Sequence, residues 1–196
     1  MDARLHLVHT QSVNADACAL ALAEVHLHPE LWDVNPMRTA QPDSPHREVS
    51  DIWLRYAADP SATGPHESVW WEAAYSLPQC AQLAEAVAAE LSGNLHSLRG
   101  VLITRIPPGG VVYRHTDEGW HAASTRKIGV QITSAFGQAF CMDGVELVTL
   151  PGEAFEFDNS NHHWVVNVSD DERITMIVCI ARDEGESCLG EQQQQQ

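Results

Sequence analysis

Two histidines and one aspartate in the second half of the sequence have the types and the order of a metal-binding set. His115 and Asp117 are separated by a single residue, and His163 follows well downstream. Two imidazoles and one carboxylate on one face of a metal form the facial triad that is typical of non-haem Fe(II) sites. Such a triad leaves three positions of an octahedral ion for a bidentate co-substrate and dioxygen. The pattern therefore predicts an iron site on His115, Asp117 and His163.

The three ligands must be brought together by strands. Successive side chains of a strand point to opposite faces, so His115 and Asp117 are expected on one face and Thr116 on the other. The third ligand must come from a strand that is distant in sequence and close in space. The interval between Asp117 and His163 is long enough for a loop and several short strands.

The third ligand has a neighbouring alternative. His162 precedes His163, and the two side chains would face opposite sides of a strand. His163 is the preferred ligand because it shares its face with Val165 and Asn167. Asn167 is expected to brace the site or a turn and not to bind the metal.

Two arginines could bind the carboxylate of a co-substrate. Arg173 opens the last β-rich run after a polar turn, and a guanidinium can hold a carboxylate through two parallel hydrogen bonds. Its alternative role is a surface ion pair with Asp170 or Asp171. Arg126 begins another β-rich run and is the second candidate, with an ordinary surface role as the alternative.

Other histidines and aromatic residues receive structural interpretations. His46, His66 and His121 lie in segments rich in turn residues, so these side chains are expected to be solvated. Trp120 and Trp164 could line a pocket, although such side chains more often pack in a core.

Two helices are predicted in the first half of the chain. Residues 15–25 are rich in Ala and Leu, and Asn14 or Asp16 can cap the start of this helix. Residues 77–91 carry aliphatic side chains at helical spacing, and Gly93 can adopt the left-handed conformation that ends a helix. These aliphatic side chains are expected to pack on a sheet.

Short β-rich runs separated by turn residues dominate the second half. Strands are predicted at 1–12, 49–56, 101–106, 111–115, 127–133, 139–141, 145–150, 154–157, 162–168 and 173–181, with loops at 32–47, from Pro60 to Pro65 and around Gly119. Strands at this spacing indicate a sandwich or barrel. We predict one domain over residues 1–182, with a mixed α/β support region at 1–98 and a β core at 99–182. The acidic, glutamine-rich tail at 183–196 is predicted to be disordered.

Composition limits the class of protein. The 196 residues carry 11 basic and 27 acidic side chains, a formal net charge of -16, without a basic run. Nucleic acid is therefore not an expected partner. No stretch resembles a signal peptide or a membrane span, and the five cysteines form no C-x-x-C motif. A cytoplasmic protein without membrane partners is the expectation.

The order of motifs in the second half carries a resemblance. An Ile-Pro-Pro-Gly-Gly segment at 106–110 precedes the H-x-D motif, Gly-Glu-Ala-Phe-Glu-Phe-Asp-Asn occupies 152–159, and H-x-V-x-N at 163–167 is followed by Arg173. Residues 99–182, with a weaker likeness at 38–55, resemble the aspartyl/asparaginyl β-hydroxylase-like branch of the 2-oxoglutarate/Fe(II) oxygenases. They are also similar to bacterial proline hydroxylases.

The resemblance implies a mainly β fold with supporting helices around a double-stranded β-helix core, the jelly-roll of cupin-like proteins. It also implies Fe(II) on His115, Asp117 and His163. Arg173 would bind the far carboxylate of 2-oxoglutarate, and Arg126 would lie near the other end of this co-substrate.

The resemblance further implies a hydroxylase that uses 2-oxoglutarate and O2 on an amino acid, a peptidyl residue or a related small metabolite. Retention of Asp117 favours hydroxylation, because related halogenases lack this acid. Family members often carry a histidine two residues after the Arg126-like arginine, where this sequence has Ile128. A non-catalytic cupin-like metal-binding module and a cupin enzyme that does not use 2-oxoglutarate are the alternatives. The sequence leaves the substrate and the oligomeric state open.

Overall fold

The computed structural model describes residues 4–182, and the predicted tail at 183–196 lies outside these residues. Within them the strands are β1 (Leu5–Val8), β2 (Ser50–Ala57), β3 (Ser68–Trp70), β4 (Leu98–Ile106), β5 (Val111–His115), β6 (Thr125–Gln131), β7 (Gln138–Met142), β8 (Val145–Leu147), β9 (Ala154–Phe157), β10 (His163–Asn167) and β11 (Arg173–Ala181). The helices are α1 (Ala15–Leu27), α2 (Glu72–Ser76), α3 (Pro78–Ser92) and α4 (Gly119–Ser124). Single 3-10 turns lie at Pro29–Leu31 and Leu95–Ser97.

The strands form two antiparallel sheets. The larger has the order β1-β9-β6-β11-β4-β2-β3, and the smaller has the order β5-β10-β7-β8. Every recorded strand pair is antiparallel. Three strands of the predicted support region, β1, β2 and β3, join the larger sheet, so this region completes the β core as well as covering it.

Local sequence signals explain both long helices. The Asn14 side chain accepts a hydrogen bond from the Ala17 amide at 3.0 Å, which caps the start of α1. Pro78 occupies the first turn of α3, and Gly93 ends it in the left-handed conformation with φ of 67°. Both helices were predicted from these residues.

The outer face of the larger sheet packs against α1 and α3. Leu83, Ala84 and Val87 of α3 are buried in one cluster with Ile52 of β2 and Val178 of β11. Burial of each large aliphatic side chain in such a cluster contributes about 1.5–3 kcal/mol. The aliphatic stripe of α3 is thus a packing surface, as predicted.

The inner face of the larger sheet meets the smaller sheet across a second cluster. Phe155 and Phe157 of β9 pack there with Phe140 of β7 and Val165 of β10. A Cβ atom on Gly129 would lie 2.3 Å from Cζ of Phe155, so only glycine fits beneath this ring. The close packing leaves a cavity between the sheets toward one end.

Three short elements were not predicted. Strand β3 and helix α2 lie at 68–70 and 72–76, where no element was predicted, and helix α4 occupies the loop predicted around Gly119. Elements this short depend on tertiary contacts, since a helix of five or six residues is unstable by itself. No helix in residues 4–182 has the length and apolarity needed to cross a membrane.

Candidate metal centre

The two histidines are neighbours in the smaller sheet. His115 is the last residue of β5 and His163 is the first residue of β10, and the two form a cross-strand pair. Their ring centroids are 4.3 Å apart. Both side chains line the cavity between the sheets.

Asp117 reaches the same place by a route that strand alternation does not explain. Strand β5 ends at His115, so the expected reason was wrong, and the Asp117 amide instead donates to the Asn159 carbonyl at 3.0 Å. Asn159 is buried and donates from Nδ2 to the carbonyl of Ala122 at 3.0 Å. The carboxylate then lies with Oδ1 3.5 Å from Nε2 of His115 and Oδ2 3.8 Å from Nε2 of His163.

Hydrogen bonds to backbone carbonyls fix the tautomer of both imidazoles. Nδ1 of His115 lies 2.7 Å from the Tyr113 carbonyl, and Nδ1 of His163 lies 2.9 Å from the Asn161 carbonyl. A carbonyl oxygen only accepts, so each Nδ1 carries the proton and each Nε2 presents a lone pair toward Asp117. Nε2 of His115 is buried without a hydrogen-bond partner. This donor set fits a divalent metal ion.

The protonation states are those that metal binding needs. Burial raises the pKa of Asp117, but the Lys127 ammonium, with Nζ 2.5 Å from Oδ2, acts together with His115 and His163 and holds this pKa well below the ordinary range. Burial lowers the pKa of His163 to about 4. At neutral pH the site therefore offers a carboxylate and a neutral imidazole.

The two adjacent histidines face opposite sides of β10, as their parity predicts. His163 is 4% exposed, whereas His162 is exposed to solvent. The structure thus brings His163 to Asp117 and leaves His162 outside the cavity.

Asn167 braces the end of the same strand. Its Nδ2 donates to the carbonyl oxygens of Ile106 at 3.1 Å, Pro107 at 3.0 Å and Asp171 at 2.8 Å. Since Ile106 ends β4 of the larger sheet, this side chain ties the two sheets together. This is the bracing role expected from the sequence.

Arg173 is buried at the edge of the cavity. Its side chain donates to Oγ1 of Thr175 at 2.8 Å and to Oε1 of Gln131 at 2.7 Å. Within residues 4–182 no carboxylate pairs with it, so the alternative of a surface ion pair with Asp170 or Asp171 was wrong. Burial lowers the pKa of Arg173 to about 10, which still leaves the guanidinium charged at neutral pH.

Arg126 occupies a different position from the one expected. Its guanidinium forms two hydrogen bonds of 2.7 Å with Glu156, and it does not line the cavity. Along β6, Arg126 and the core residue Ile128 share the face toward the helices, whereas Lys127 faces the cavity. The structure therefore does not bring Arg126 to the metal ligands, and it puts Lys127 there instead.

Two histidines that sequence reasoning expected in solvent line the cavity instead. His46 is 8% exposed and lies beside His115. His121 is partly buried, and this burial lowers the pKa of His121 to about 4. Trp120 lines a separate surface depression with His66. The weak likeness around residues 38–55 was the only sequence signal that included His46.

The cavity has a volume of about 240 Å³ and two distinct walls. Phe140, Phe155 and Phe157 form an apolar wall beside the metal ligands. Trp53 and Tyr56 of β2 lie at the end near His121, where the rings of Tyr56 and His121 are 4.8 Å apart. A charged centre is thus enclosed by apolar and aromatic side chains.

Sequence comparison identifies the family. The sequence model described as aspartyl/asparaginyl beta-hydroxylase matches residues 64–183, which include His115, Asp117, His163 and Arg173. The chain belongs to this family. Its membership confirms the predicted class of enzyme, a 2-oxoglutarate-dependent hydroxylase. Comparison with curated proteins finds no match for this hydroxylase.

Solved structures with the same fold include three oxygenases. A prolyl hydroxylase from Trichoplax adhaerens, in complex with a hypoxia inducible factor peptide fragment, aligns with a TM-score of 0.59 and 9% identity over 91% of this chain and 83% of that chain. A Pseudomonas putida prolyl-4-hydroxylase aligns with a TM-score of 0.52 and 17% identity over 92% and 93%. A 2OG-Fe(II) oxygenase family protein from Burkholderia pseudomallei aligns with a TM-score of 0.52 and 14% identity over 69% and 67%. This likeness confirms the predicted double-stranded β-helix.

Proposed function

We propose that this hydroxylase binds Fe(II) through His115, Asp117 and His163 and binds 2-oxoglutarate through Arg173. The observation that carries the proposal is the convergence of two unprotonated Nε2 atoms on one carboxylate, at 3.5 and 3.8 Å, inside a cavity that also holds a buried arginine. When bound, iron and 2-oxoglutarate supply oxidative decarboxylation of the co-substrate by O2, which yields succinate and CO2 and delivers one oxygen atom to a C–H bond.

The role of Arg173 follows from its burial. A guanidinium that is 2% exposed and lacks a carboxylate partner in residues 4–182 gains much from an incoming carboxylate, because the ion pair would form away from water. Thr175 and Gln131 hold the guanidinium in place through hydrogen bonds of 2.8 and 2.7 Å. The distal carboxylate of 2-oxoglutarate is the proposed partner.

Arg173 is better suited to this role than the two other cations that line the cavity. Arg38 donates two hydrogen bonds to Asp51, and Lys127 pairs with Asp117. Both of these charges are already compensated by carboxylates of the chain. An anionic co-substrate would therefore be bound most strongly at Arg173.

The apolar wall limits access of water to the reacting centre. Phe140 and Phe157 pack against His163, with the Phe140 ring stacked on the His163 ring at 5.8 Å between centroids, and Phe155 packs against both phenylalanines. Exclusion of water strengthens the electrostatic interactions in the cavity and protects reactive species from side reactions.

The substrate is proposed to enter at the end lined by Trp53, Tyr56 and His121. These three residues line the cavity and carry aromatic surfaces for an organic group. An amino acid, a peptidyl residue or a related small metabolite fits this description. The peptide bound to the Trichoplax adhaerens enzyme supports a peptidyl residue as one of these options.

The experiment is an anaerobic titration with Fe(II) and 2-oxoglutarate, monitored by visible absorption. A weak metal-to-ligand charge-transfer band is expected for the wild type and for His162→Ala, in which the exposed neighbour is removed. The band is expected to be absent in His163→Ala. Absence of a band in the wild type, or an unchanged band in His163→Ala, would overturn the proposal.

Succinate formation separates catalysis from simple metal binding. An oxygenase is expected to release succinate slowly from 2-oxoglutarate under air even without its substrate. A band without any succinate would indicate the alternative, a metal-binding module of the same fold.

A further inference from the structure

Four parts of the chain meet at a depression in the protein surface. It is lined by His66 from the loop before β3, Arg99 of β4, Trp120 of α4 and Arg182 directly after β11. The Arg182 amide donates to the carbonyl of Ser124 in α4 at 3.0 Å, which fixes the backbone of this arginine at the site. We call this site the arginine depression.

An irregularity in strand pairing lies at Arg99. The pairing of β4 with β11 changes register between Gly100, which is opposite Cys179, and Leu98, which is opposite Ile180. Arg99 is therefore the residue of β4 that has no partner on β11 at this point, as in a β-bulge. Bulges of this kind change the direction of a side chain and are common next to functional sites.

Neither arginine of the depression has a hydrogen-bond or ion-pair partner for its side chain in residues 4–182. Nε of Arg182 is buried and makes no hydrogen bond. The other arginines of this range each donate at least one side-chain hydrogen bond to an oxygen atom of the chain. A buried donor without a partner is costly, so a ligand that accepts from Arg182 would be favoured.

The charge of the depression favours an isolated carboxylate. Among its described lining residues Glu67 is the one acidic side chain, and it is exposed and pairs with neither Arg99 nor Arg182. A guanidinium holds a carboxylate through two parallel hydrogen bonds. Long polyanions such as nucleic acid would be repelled by the net charge of -16, whereas a single acidic side chain responds mainly to its immediate surroundings.

One layer of rings separates the arginine depression from the cavity. His66 on the side of the depression stacks on His121 on the side of the cavity, with 5.7 Å between ring centroids and an interplanar angle of 5°. The Trp120 ring lies 4.9 Å from His66, and the Tyr56 ring lies 4.8 Å from His121. The two recesses are therefore adjacent, and a ligand that occupies both must be longer than a single amino acid.

We propose that the arginine depression binds an acidic side chain of a peptide substrate, while a nearby residue of that peptide enters the cavity. This inference rests on the proposed function, and it narrows the substrate to a peptidyl residue in an acidic sequence. Arg99 and Arg182 would hold the carboxylate beside the ring of Trp120. An extended chain advances about 3.3–3.6 Å per residue, so the acidic residue would lie roughly two to four positions from the hydroxylated one.

The test is isothermal titration with the peptide acetyl-Ala-Glu-Ala-Glu-Ala-amide. The full chain is saturated with Co(II), an air-stable substitute for Fe(II), and with 2-oxoglutarate, which is expected to occupy Arg173. The wild type should bind this peptide at least about 10-fold more tightly than a counterpart with glutamine in place of both glutamates. Equal affinities for the two peptides would overturn the inference.

Matched double variants locate the binding. Arg99→Gln/Arg182→Gln should bind the acidic peptide about 10-fold or more weakly. Arg99→Lys/Arg182→Lys should recover part of this loss, because it keeps the charge without the forked hydrogen bonds. The control, Arg47→Gln/Arg114→Gln, makes the same change in net charge at exposed residues outside the depression and should bind within about twofold of the wild type. Equal losses in the two glutamine variants would show a general charge effect and overturn the inference.

Two other occupants would give different results. A thymidine pentanucleotide offers phosphates and bases that could stack on Trp120, and tighter binding of it than of the acidic peptide would overturn the inference. The acidic segment that follows Arg182 is the second alternative. Asp183→Asn/Glu184→Gln/Glu186→Gln should bind the peptide as the wild type does. A gain of about 10-fold in this variant would assign the depression to the chain's own carboxylates and overturn the substrate role.

Hydroxylation of a peptide library tests the substrate role directly. Peptides that gain one oxygen atom with the Fe(II)-loaded enzyme should be enriched in Asp or Glu about two to four positions from the modified residue. For one such peptide, Arg99→Gln/Arg182→Gln should raise KM at least about 10-fold with a smaller change in kcat, since neither arginine lines the cavity. Modified peptides without this enrichment would overturn the inference.

The outcomes distinguish the two proposals. The peptide titration does not depend on iron, so the metal-free protein should give the same affinity. Equal binding of the acidic and glutamine peptides, together with a normal charge-transfer band, would overturn the role of the arginine depression alone. A missing band in the wild type would overturn the proposed function and with it the substrate role, even if the acidic peptide bound selectively.

Discussion

The two sheets contribute different chemistry to one cavity. The smaller sheet supplies imidazoles at the ends of its strands, with His115 closing β5 and His163 opening β10. The larger sheet supplies charge, with Arg173 on β11 and Lys127 on β6. Under the proposed function, metal binding and co-substrate binding therefore depend mainly on different sheets, and mutations should separate them.

In the larger sheet, polar side chains from neighbouring strands lie in register around Arg173. Gln131, Thr175, Thr104 and Asp51 occupy matched positions on four adjacent strands, β6, β11, β4 and β2. Because they lie in register, their side chains form one polar row across the inner face. The ladder hydrogen bonds that set this register also fix the surroundings of Arg173. The proposed metal ligands lack such a row, because His115 and His163 form one cross-strand pair and Asp117 is held by a loop contact to Asn159.

The largest effect is expected for Arg173→Ala. Loss of two hydrogen bonds to a charged carboxylate should weaken binding of 2-oxoglutarate by about 100-fold or more. Binding of Co(II) should change little, because the two proposed histidine ligands lie on the other sheet and Asp117 lies in the loop after β5. Isothermal titration with each ligand measures both quantities.

A conservative variant sharpens this separation. Arg173→Lys should recover only part of the loss, since an ammonium cannot form the forked pair of hydrogen bonds. Equal losses of metal and co-substrate binding in Arg173→Ala would contradict the division between the sheets.

Asn167→Ala should affect both sheets together. The change leaves the buried carbonyls of Ile106 and Pro107 without their side-chain donor and should lower the free energy of unfolding by about 2–4 kcal/mol. Urea unfolding of the metal-free protein measures this value. Val168→Ala is the control, because Val168 is 78% exposed. An equally stable Asn167→Ala variant would show that Asn167 does not tie the sheets together.

A pH effect on stability is expected from His121, which lines the cavity. An unfolded histidine gains a proton below about pH 6.5, whereas folded His121 stays neutral until its pKa of about 4. The unfolded state thus binds more protons between these values, and the free energy of unfolding should fall as the pH drops from 7 to 4. The contribution of His121 at pH 5 is about 1–2 kcal/mol.

The comparison that isolates this effect uses urea unfolding at pH 7 and pH 5. His121→Asn should lose less stability on acidification than the wild type does. His162→Asn, which alters an exposed histidine, should lose as much as the wild type. If His121→Asn lost as much stability between pH 7 and pH 5 as the wild type does, His121 would not be the source of the pH effect.

The smallest effect is expected for Arg126→Gln. This arginine pairs with Glu156 outside the cavity, and the loss of such a pair should cost about 1 kcal/mol or less. Affinity for 2-oxoglutarate, measured by isothermal titration as for Arg173→Ala, should stay within about twofold of the wild type. A loss as large as that of Arg173→Ala would restore the role first predicted for Arg126.

Much of the fold could be predicted from local signals. Asn14 and Gly93 mark helix ends because their conformations and hydrogen bonds are determined within a few residues. The two ends of β11 were also predicted well. These features depend on short-range preferences that the sequence carries directly.

The orientation of β6 could not be predicted in the same way. Its sequence, Thr-Arg-Lys-Ile-Gly-Val-Gln, does not alternate between polar and apolar residues, because helices cover one face and the cavity lies at the other. A one-residue shift in such a strand reverses which side chains face the cavity. The sequence therefore could not decide between Arg126 and Lys127.

The burial of His46 could not be predicted from the sequence for another reason. Loops rich in proline and polar residues usually lie in solvent, so a histidine within one gives no sign of burial. The ion pair that anchors this loop joins Arg38 to Asp51, and each residue alone resembles an ordinary surface charge. Long-range partners of this kind become visible only in the folded structure.

The ion pair between Lys127 and Asp117 has a consequence for the maturation of the protein. A buried carboxylate is costly without a compensating positive charge, and here the chain provides that charge itself. The polypeptide is therefore expected to fold without a bound metal, and under the proposed function iron loading would be a separate, later event. The supply of the metal would then determine what fraction of the enzyme is active, but not what fraction of it is folded.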